Sequence, residues 1–102
     1  EATTDARGRR LDVRLLPMPK PKRRHDGRLL TMTYINFYVC NDAVIVPMFE
    51  DAADDLAQRT IAAAFPERQL ISLDATALLH GGGGIHCITL QQPQPPDPAS
   101  DA

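Results

Sequence analysis

The chain has 102 residues, 43% of them hydrophobic and 24% charged, with a formal net charge of −2. That length bounds it to one domain burying roughly 60–70% of its unfolded surface, and the apolar fraction excludes wholesale disorder. No apolar run approaches the ~18 residues of a membrane-spanning helix, and two cysteines, Cys40 and Cys87, are too few for a disulfide-dense scaffold.

Glu1-Ala2-Thr3-Thr4 opens the chain with neither the basic start nor the apolar stretch of a signal peptide, and without an initiator Met. The expectation is a piece of a longer, cytoplasmic protein. Residues 1–28 hold nine of the eleven Lys and Arg against four acids, a balance of +5; residues 29–102 hold two bases against nine acids, a balance of −7. The basic cluster Lys20, Lys22, Arg23, Arg24 and Arg28 raises the question of nucleic acid. Pro17, Pro19 and Pro21 interrupt it, and no aromatic residue is interleaved for a base to stack on. A solvated, proline-stiffened loop over Pro17–Gly27 is the better reading, with no nucleic-acid partner and no membrane.

In chain order, Leu11-Asp12-Val13-Arg14-Leu15 alternates apolar and polar residues and predicts a half-buried strand stopped by Pro17. Thr33 to Val39 is β-branched and aromatic and predicts a second strand. Asn41-Asp42 predicts a turn, and Ala43-Val44-Ile45-Val46 a strand closed by Pro47, so that the pair forms a hairpin. A helix is predicted over 52–64, with Asp51 as its cap, Asp54 and Asp55 in its first turn and Pro66 ending it. Leu56, Ala57, Ile61 and Ala64 form its apolar stripe against a sheet. Gln69 to Leu73 reads as a strand, Ala75 to Leu79 as a short helical turn, and Ile85 to Leu90 as strand-like. The tail, with Pro93, Pro95, Pro96 and Pro98, reads as a mobile terminus.

Gly81-Gly82-Gly83-Gly84-Ile85-His86-Cys87 stands out, because four glycines carry a large backbone entropy cost. A phosphate-binding loop fails, since no Lys-Ser/Thr pair follows and the continuation is not a helix. Two readings remain open: bare backbone admitting a flat ligand beside a thiol, or a flexible surface turn with Cys87 as a small buried hydrophobe. A nucleophilic Cys needs a base or positive neighbour. Strand alternation would point His86 away from Cys87, and the sequence places neither His25 nor His80. Cys40, His80, His86 and Cys87 lack zinc-ligand spacing, so no metal is expected.

The segments Tyr34-x-Asn36-Phe37-Tyr38-x-x-Asn41, Val46-Pro47-x-Phe49, Ala64-Phe65-Pro66-x-Arg68 and Gly81-Gly82-Gly83-x-Ile85-His86-Cys87-Ile88-Thr89-x-Gln91-Gln92-Pro93 resemble the C-terminal part of agmatine deiminases. These belong, with bacterial-type peptidylarginine deiminases, to the guanidino-group-modifying penteins. The resemblance runs from about Arg7 to Pro93, which makes 1–93 the C-terminal part of such a domain and 94–102 a Pro-rich mobile tail. It implies an α/β fold, about one blade plus the Cys strand of a five-bladed α/β propeller. It also implies hydrolysis of agmatine to N-carbamoylputrescine and ammonia, a step towards putrescine, with no metal or organic cofactor.

The family's nucleophile falls on Cys87, and Gly81, Gly82, Gly83 and Gly84 would let the planar guanidinium approach the backbone. The family's catalytic His and guanidinium-clamping acids lie upstream, in blades this chain lacks. The resemblance therefore makes those N-terminal blades the chain's first partner, and a homo-oligomer is allowed. Gly84 and Leu90 stand where Asn and Gln are common, and Cys40 where a small Ala is common. Tyr34 and Asn36 read as structural strand residues, and Asp51, Asp54 and Asp55 as helix-start charges. A peptidylarginine deiminase fragment and a non-catalytic propeller module are the alternatives; upstream His and paired acids would separate enzyme from module.

Overall fold

A computed structural model describes residues 3–98. Of the tail expected over 94–102, residues 99–102 lie outside the described residues, and 94–97 are irregular and exposed. The sheet has three strands in the order β1 (Tyr38–Val39), β2 (Ala43–Met48) and β3 (Gln69–Asp74). β1 runs antiparallel to β2, with Tyr38 opposite Ile45 and Val39 opposite Val44, which is the expected hairpin around Asn41-Asp42. β3 runs parallel to β2, in register from Ala43 against Gln69 to Met48 against Asp74. Parallel neighbours need a crossover, and helix α1 (Asp54–Ala64) supplies it.

Strand β2 continues through Pro47 rather than closing there. The carbonyls of Asp42 and Met48 accept from Gln69 and Ala75, so the even-numbered residues bond β3. Pro47 therefore turns its hydrogen-less nitrogen to the β1 side. β1 has already ended at the level of Ile45, so no ladder donor is missed.

Val44 and Val46 are fully buried on the face that α1 covers, with Ala57 and Ile61 of the helix against them. The stripe is narrower than expected: Leu56 is 50% exposed and Ala64 is exposed as well. A helix packed on a sheet only three strands wide buries the row centred on Ala57 and Ile61 and leaves its flanks in water. α1 starts at Asp54, two residues later than expected, because Asp51 accepts from the nearby Ala53 N–H at 2.8 Å and so closes a turn first. Pro66 ends it as anticipated, the last bonds running from Phe65 N–H to the carbonyls of Ile61 and Ala62.

Besides the segment around Cys87, two expected strands fail to form as read. Between Thr33 and Val39 only Tyr38 and Val39 pair, while Tyr34 and Ile35 occupy a turn in which Ile35 N–H bonds Thr33 Oγ1 at 3.2 Å. Tyr34 is buried, its ring 5.3 Å from that of Phe49 and its hydroxyl donating to Asp54 Oδ1 at 2.6 Å. These side-chain partners draw the segment out of the sheet plane. Residues 11–15 form no strand either, and Leu11, Val13 and Leu15 are exposed. Alternation predicts a face, but no strand among the described residues lies alongside to pair with it.

The Pro17–Gly27 loop is present and docks on the helix start. Lys20 N–H donates to Asp51 Oδ2 at 2.8 Å, and Lys22 Nζ to the Phe49 carbonyl at 2.9 Å. The loop reverses at Gly27, whose φ of +87° suits a residue without a side chain. After β3, the short helix α2 (Thr76–His80) buries Leu79 and leads into the glycine run.

The bond between Tyr34 and Asp54 gives a direct test. Tyr34→Phe should destabilise the chain by about 1–2 kcal/mol, because the aromatic packing survives while the charged acceptor loses a donor. Urea unfolding followed by circular dichroism measures it, and an unchanged midpoint would contradict the role given to this bond.

Candidate functional site

Cys87 lies past the glycines on a single 3-10 turn, His86–Ile88, where a strand was expected over Ile85–Leu90. The turn forms because its donors are satisfied locally. Ile88 N–H bonds the Ile85 carbonyl at 3.2 Å, Thr89 N–H bonds the His86 carbonyl at 3.0 Å, and Thr89 Oγ1 donates to that same carbonyl at 2.7 Å. Ile85 inserts into the core at 3% exposure and anchors the turn, leaving Cys87 at the surface.

Two shallow open clefts meet at Cys87. One is lined by Ala77, Leu78, Gly81, Gly82, Gly83 and Ile88, the other by Thr33, Ile35, Asn36 and His86. A wider recess lies between the β1–β2 turn and residues 90–94, with Cys40 but not Cys87 on its wall. Position, rather than size, singles out the clefts beside the exposed thiol.

The thiol sits among donors. Asn36 Nδ2 donates to Cys87 Sγ at 3.3 Å. The backbone N–H of Gly84 is the foremost donor to the sulfur, ahead of the Asn36 amide and the N–H of Cys87 itself, and together these outweigh desolvation to hold the thiol below its ordinary range. Asn36, expected to be a structural strand residue, thus touches the candidate nucleophile. Its other end accepts from His86 N–H at 2.7 Å, which ties the turn down. Its place in an aromatic, β-branched run concealed this, since the contact spans 51 residues.

The four glycines do different work. Gly81 and Gly82 are exposed on the wall of a cleft, and Gly82 has a φ of +98° that disfavours a side chain. At Gly83 an added Cβ would lie 3.0 Å from Cys87 Cβ and 3.2 Å from Sγ. At Gly84, which is buried, it would lie 2.6 Å from Asn36 Nδ2. The missing side chain at Gly84 is therefore the space the Asn36 amide occupies.

The histidines do not meet the sulfur. His86 is exposed, its ring edge-on to Tyr38 with centroids 6.5 Å apart. His80 ends α2 and His25 lies in the loop turn, both exposed. Cys40 is half-buried at the end of β1, and its carbonyl accepts from Arg68 Nε at 3.0 Å. The acids read as helix-start charges behave so. Asp54 accepts from Phe49 and Asp51 N–H as well as from Tyr34, and Asp55 pairs with Arg59 on the surface at 3.3 Å. Among the described residues, no group of three His, Cys, Asp or Glu side chains is placed to hold a metal ion. No helix is long and apolar enough to cross a membrane.

Comparison with known proteins gives consistent matches. Residues 1–93 match the model of the family described as Porphyromonas-type peptidyl-arginine deiminase. The chain is 47% identical over 91 residues to a Streptomyces coelicolor protein named as an agmatine deiminase, covering 89% of this chain and 27% of that one. Among solved structures, the agmatine deiminase of Enterococcus faecalis superposes with a TM-score of 0.81 at 32% identity, covering 90% of this chain and 30% of that one. The C. jejuni agmatine deiminase superposes with a TM-score of 0.66 at 38% identity, covering 71% and 22%. The chain spans less than a third of the length of these relatives.

The difference between the two cysteines is testable on this chain. Brief iodoacetamide treatment near neutral pH should label Cys87 well before Cys40, because Cys87 is exposed and faces donors that favour its thiolate. Peptide mass spectrometry resolves the two sites. Equal rates would contradict the environment described for Cys87.

Proposed function

The chain belongs to the Porphyromonas-type peptidyl-arginine deiminase family, and we propose that it is the nucleophile-bearing C-terminal portion of an enzyme that deiminates agmatine. The observation that carries the reading is an exposed thiol beside a glycine run, faced by backbone and Asn36 N–H donors that favour its thiolate. On this reading, the β1–β2–α1–β3 unit is one blade of a five-bladed α/β propeller. Residues outside this chain contribute the other blades, the proton-carrying His and the carboxylates that grip the guanidinium. A homo-oligomer of the complete enzyme is compatible with it.

The chemistry follows from what a guanidinium is. The ion is planar and rich in N–H donors, and its central carbon is electrophilic while the cation is held by carboxylates. Cys87 Sγ, as thiolate, adds to that carbon and forms a C–S bond. One nitrogen takes a proton and leaves as ammonia, giving a thiouronium. Water then adds to the same carbon, the C–S bond breaks, the thiolate is regenerated, and the product is the N-carbamoyl amine. No electrons enter or leave. Gly81 and Gly82 line the cleft on one side of the sulfur without side chains, which leaves a flat substrate room to approach.

Agmatine is favoured because the relatives above carry that name. Peptidyl-arginine is the competing substrate, favoured by the description of the family. Ammonia release from each, assayed side by side on the complete enzyme, decides between them.

Two outcomes test the proposal. In the complete enzyme, Cys87→Ser should abolish turnover while Cys40→Ser retains most of it, as measured by N-carbamoylputrescine formation; activity surviving Cys87→Ser would overturn the assignment. The 102-residue chain alone should give no turnover of agmatine. Proton transfer by a positioned group is typically worth ~10²–10⁴-fold, and orientation up to ~7–11 kcal/mol. Cys87-dependent release of ammonia by the isolated chain would place the base and the clamp within these residues.

A further inference from the structure

The Asn36 amide can point in only one direction. His86 N–H is a donor, so it requires the oxygen end, and Asn36 Oδ1 meets it at 2.7 Å. The NH2 end is thereby left facing Cys87 Sγ at 3.3 Å. A flipped amide would set an NH2 against the His86 N–H, lose that bond and turn an acceptor rather than a donor on the sulfur. We propose that Asn36 is a positioning residue for the Cys87 nucleophile, its carboxamide clamping the 3-10 turn at His86 and aiming an N–H donor at the sulfur. The inference rests on the reading of Cys87 as nucleophile and adds to it a residue 51 positions away.

Gly84 belongs to the same device. A Cβ on it would lie 2.6 Å from Asn36 Nδ2 and 2.8 Å from Cγ, so a side chain at position 84 would require the amide to shift from the place it occupies here. Gly83 is close to the thiol in a milder way, an added Cβ meeting Cys87 Cβ at 3.0 Å and Sγ at 3.2 Å. Gly83 and Gly84 thus lie closest to the nucleophile and its clamp, and Gly81, Gly82 and Gly83 line the cleft wall. A donor aimed at the sulfur stabilises the thiolate before attack and again when it departs in the hydrolytic step. Of the residues lining the two clefts, His86 is the one titratable group besides Cys87, and its ring lies against Tyr38.

The test is the pH dependence of Cys87 alkylation by iodoacetamide, read by peptide mass spectrometry in the 102-residue chain and in Asn36→Asp and Asn36→Ala. A His86→Gln chain serves as the control for the neighbouring imidazole. Asn36→Asp keeps an acceptor for His86 N–H but turns an anionic oxygen on the sulfur; Asn36→Ala removes both contacts. Both should move the alkylation midpoint to higher pH and slow labelling about tenfold below it, which corresponds to one pH unit. His86→Gln should leave the dependence on Asn36 in place. A midpoint that is unchanged or lower in Asn36→Asp overturns the proposal, with Asn36→Ala deciding if circular dichroism shows the Asp variant unfolded. The underlying reading fails differently: turnover of the complete enzyme would survive Cys87→Ser while the midpoint shift persisted.

Discussion

The Asp54 carboxylate gathers three donors from three separate stretches of chain. Tyr34 hydroxyl reaches it at 2.6 Å, Phe49 N–H at 3.2 Å and Asp51 N–H at 3.1 Å. It thereby pins the segment before β1, the end of β2 and the approach to α1 to one point. A carboxylate at the start of a helix is favoured by the exposed N–H groups there, so the arrangement uses a charge the helix already prefers. Because the same carboxylate takes up the Tyr34 proton donor, burial and the neighbouring negative charge push the Tyr34 hydroxyl well above its ordinary range and keep it protonated.

The approach of Asn36 to the candidate nucleophile starts from that point. Tyr34 is held by Asp54 and stacked near Phe49, so the backbone turns at Tyr34–Ile35 and presents Asn36 two residues on. From the other direction, Leu79 and Ile85 enter the core on either side of the glycine run and fix its two ends. The run then has little freedom about where it delivers Cys87. Asn36 and the turn meet because each is anchored by a buried neighbour, and the amide joins them with two bonds.

The far face of the sheet is apolar and open along β3, where Ile71 and Leu73 are 42% and 47% exposed, while Pro47 beside Leu73 on β2 is buried. Residues 11–15 add Leu11, Val13 and Leu15 to the uncovered surface. Any element that covered this face would gain roughly 25 cal/mol per Å² of apolar area buried.

The sequence by itself determined the β2–α1–β3 unit, the hairpin turn at Asn41-Asp42 and the stop at Pro66, since each is set by residues adjacent in the chain. It also marked the glycine run and Cys87, because four glycines beside a thiol are legible without coordinates. What only the tertiary structure decided is which faces are met. The period-2 pattern of residues 11–15 and the β-branched run from Thr33 both describe a surface fit for a sheet, but strand formation needs a partner edge, and Tyr34 found Asp54 instead. The pairing of Asn36 with Cys87 and the close approach of the Asn36 amide to Gly84 were equally invisible. Periodicity records how a segment divides between water and interior; which distant group comes against it is settled when the core closes.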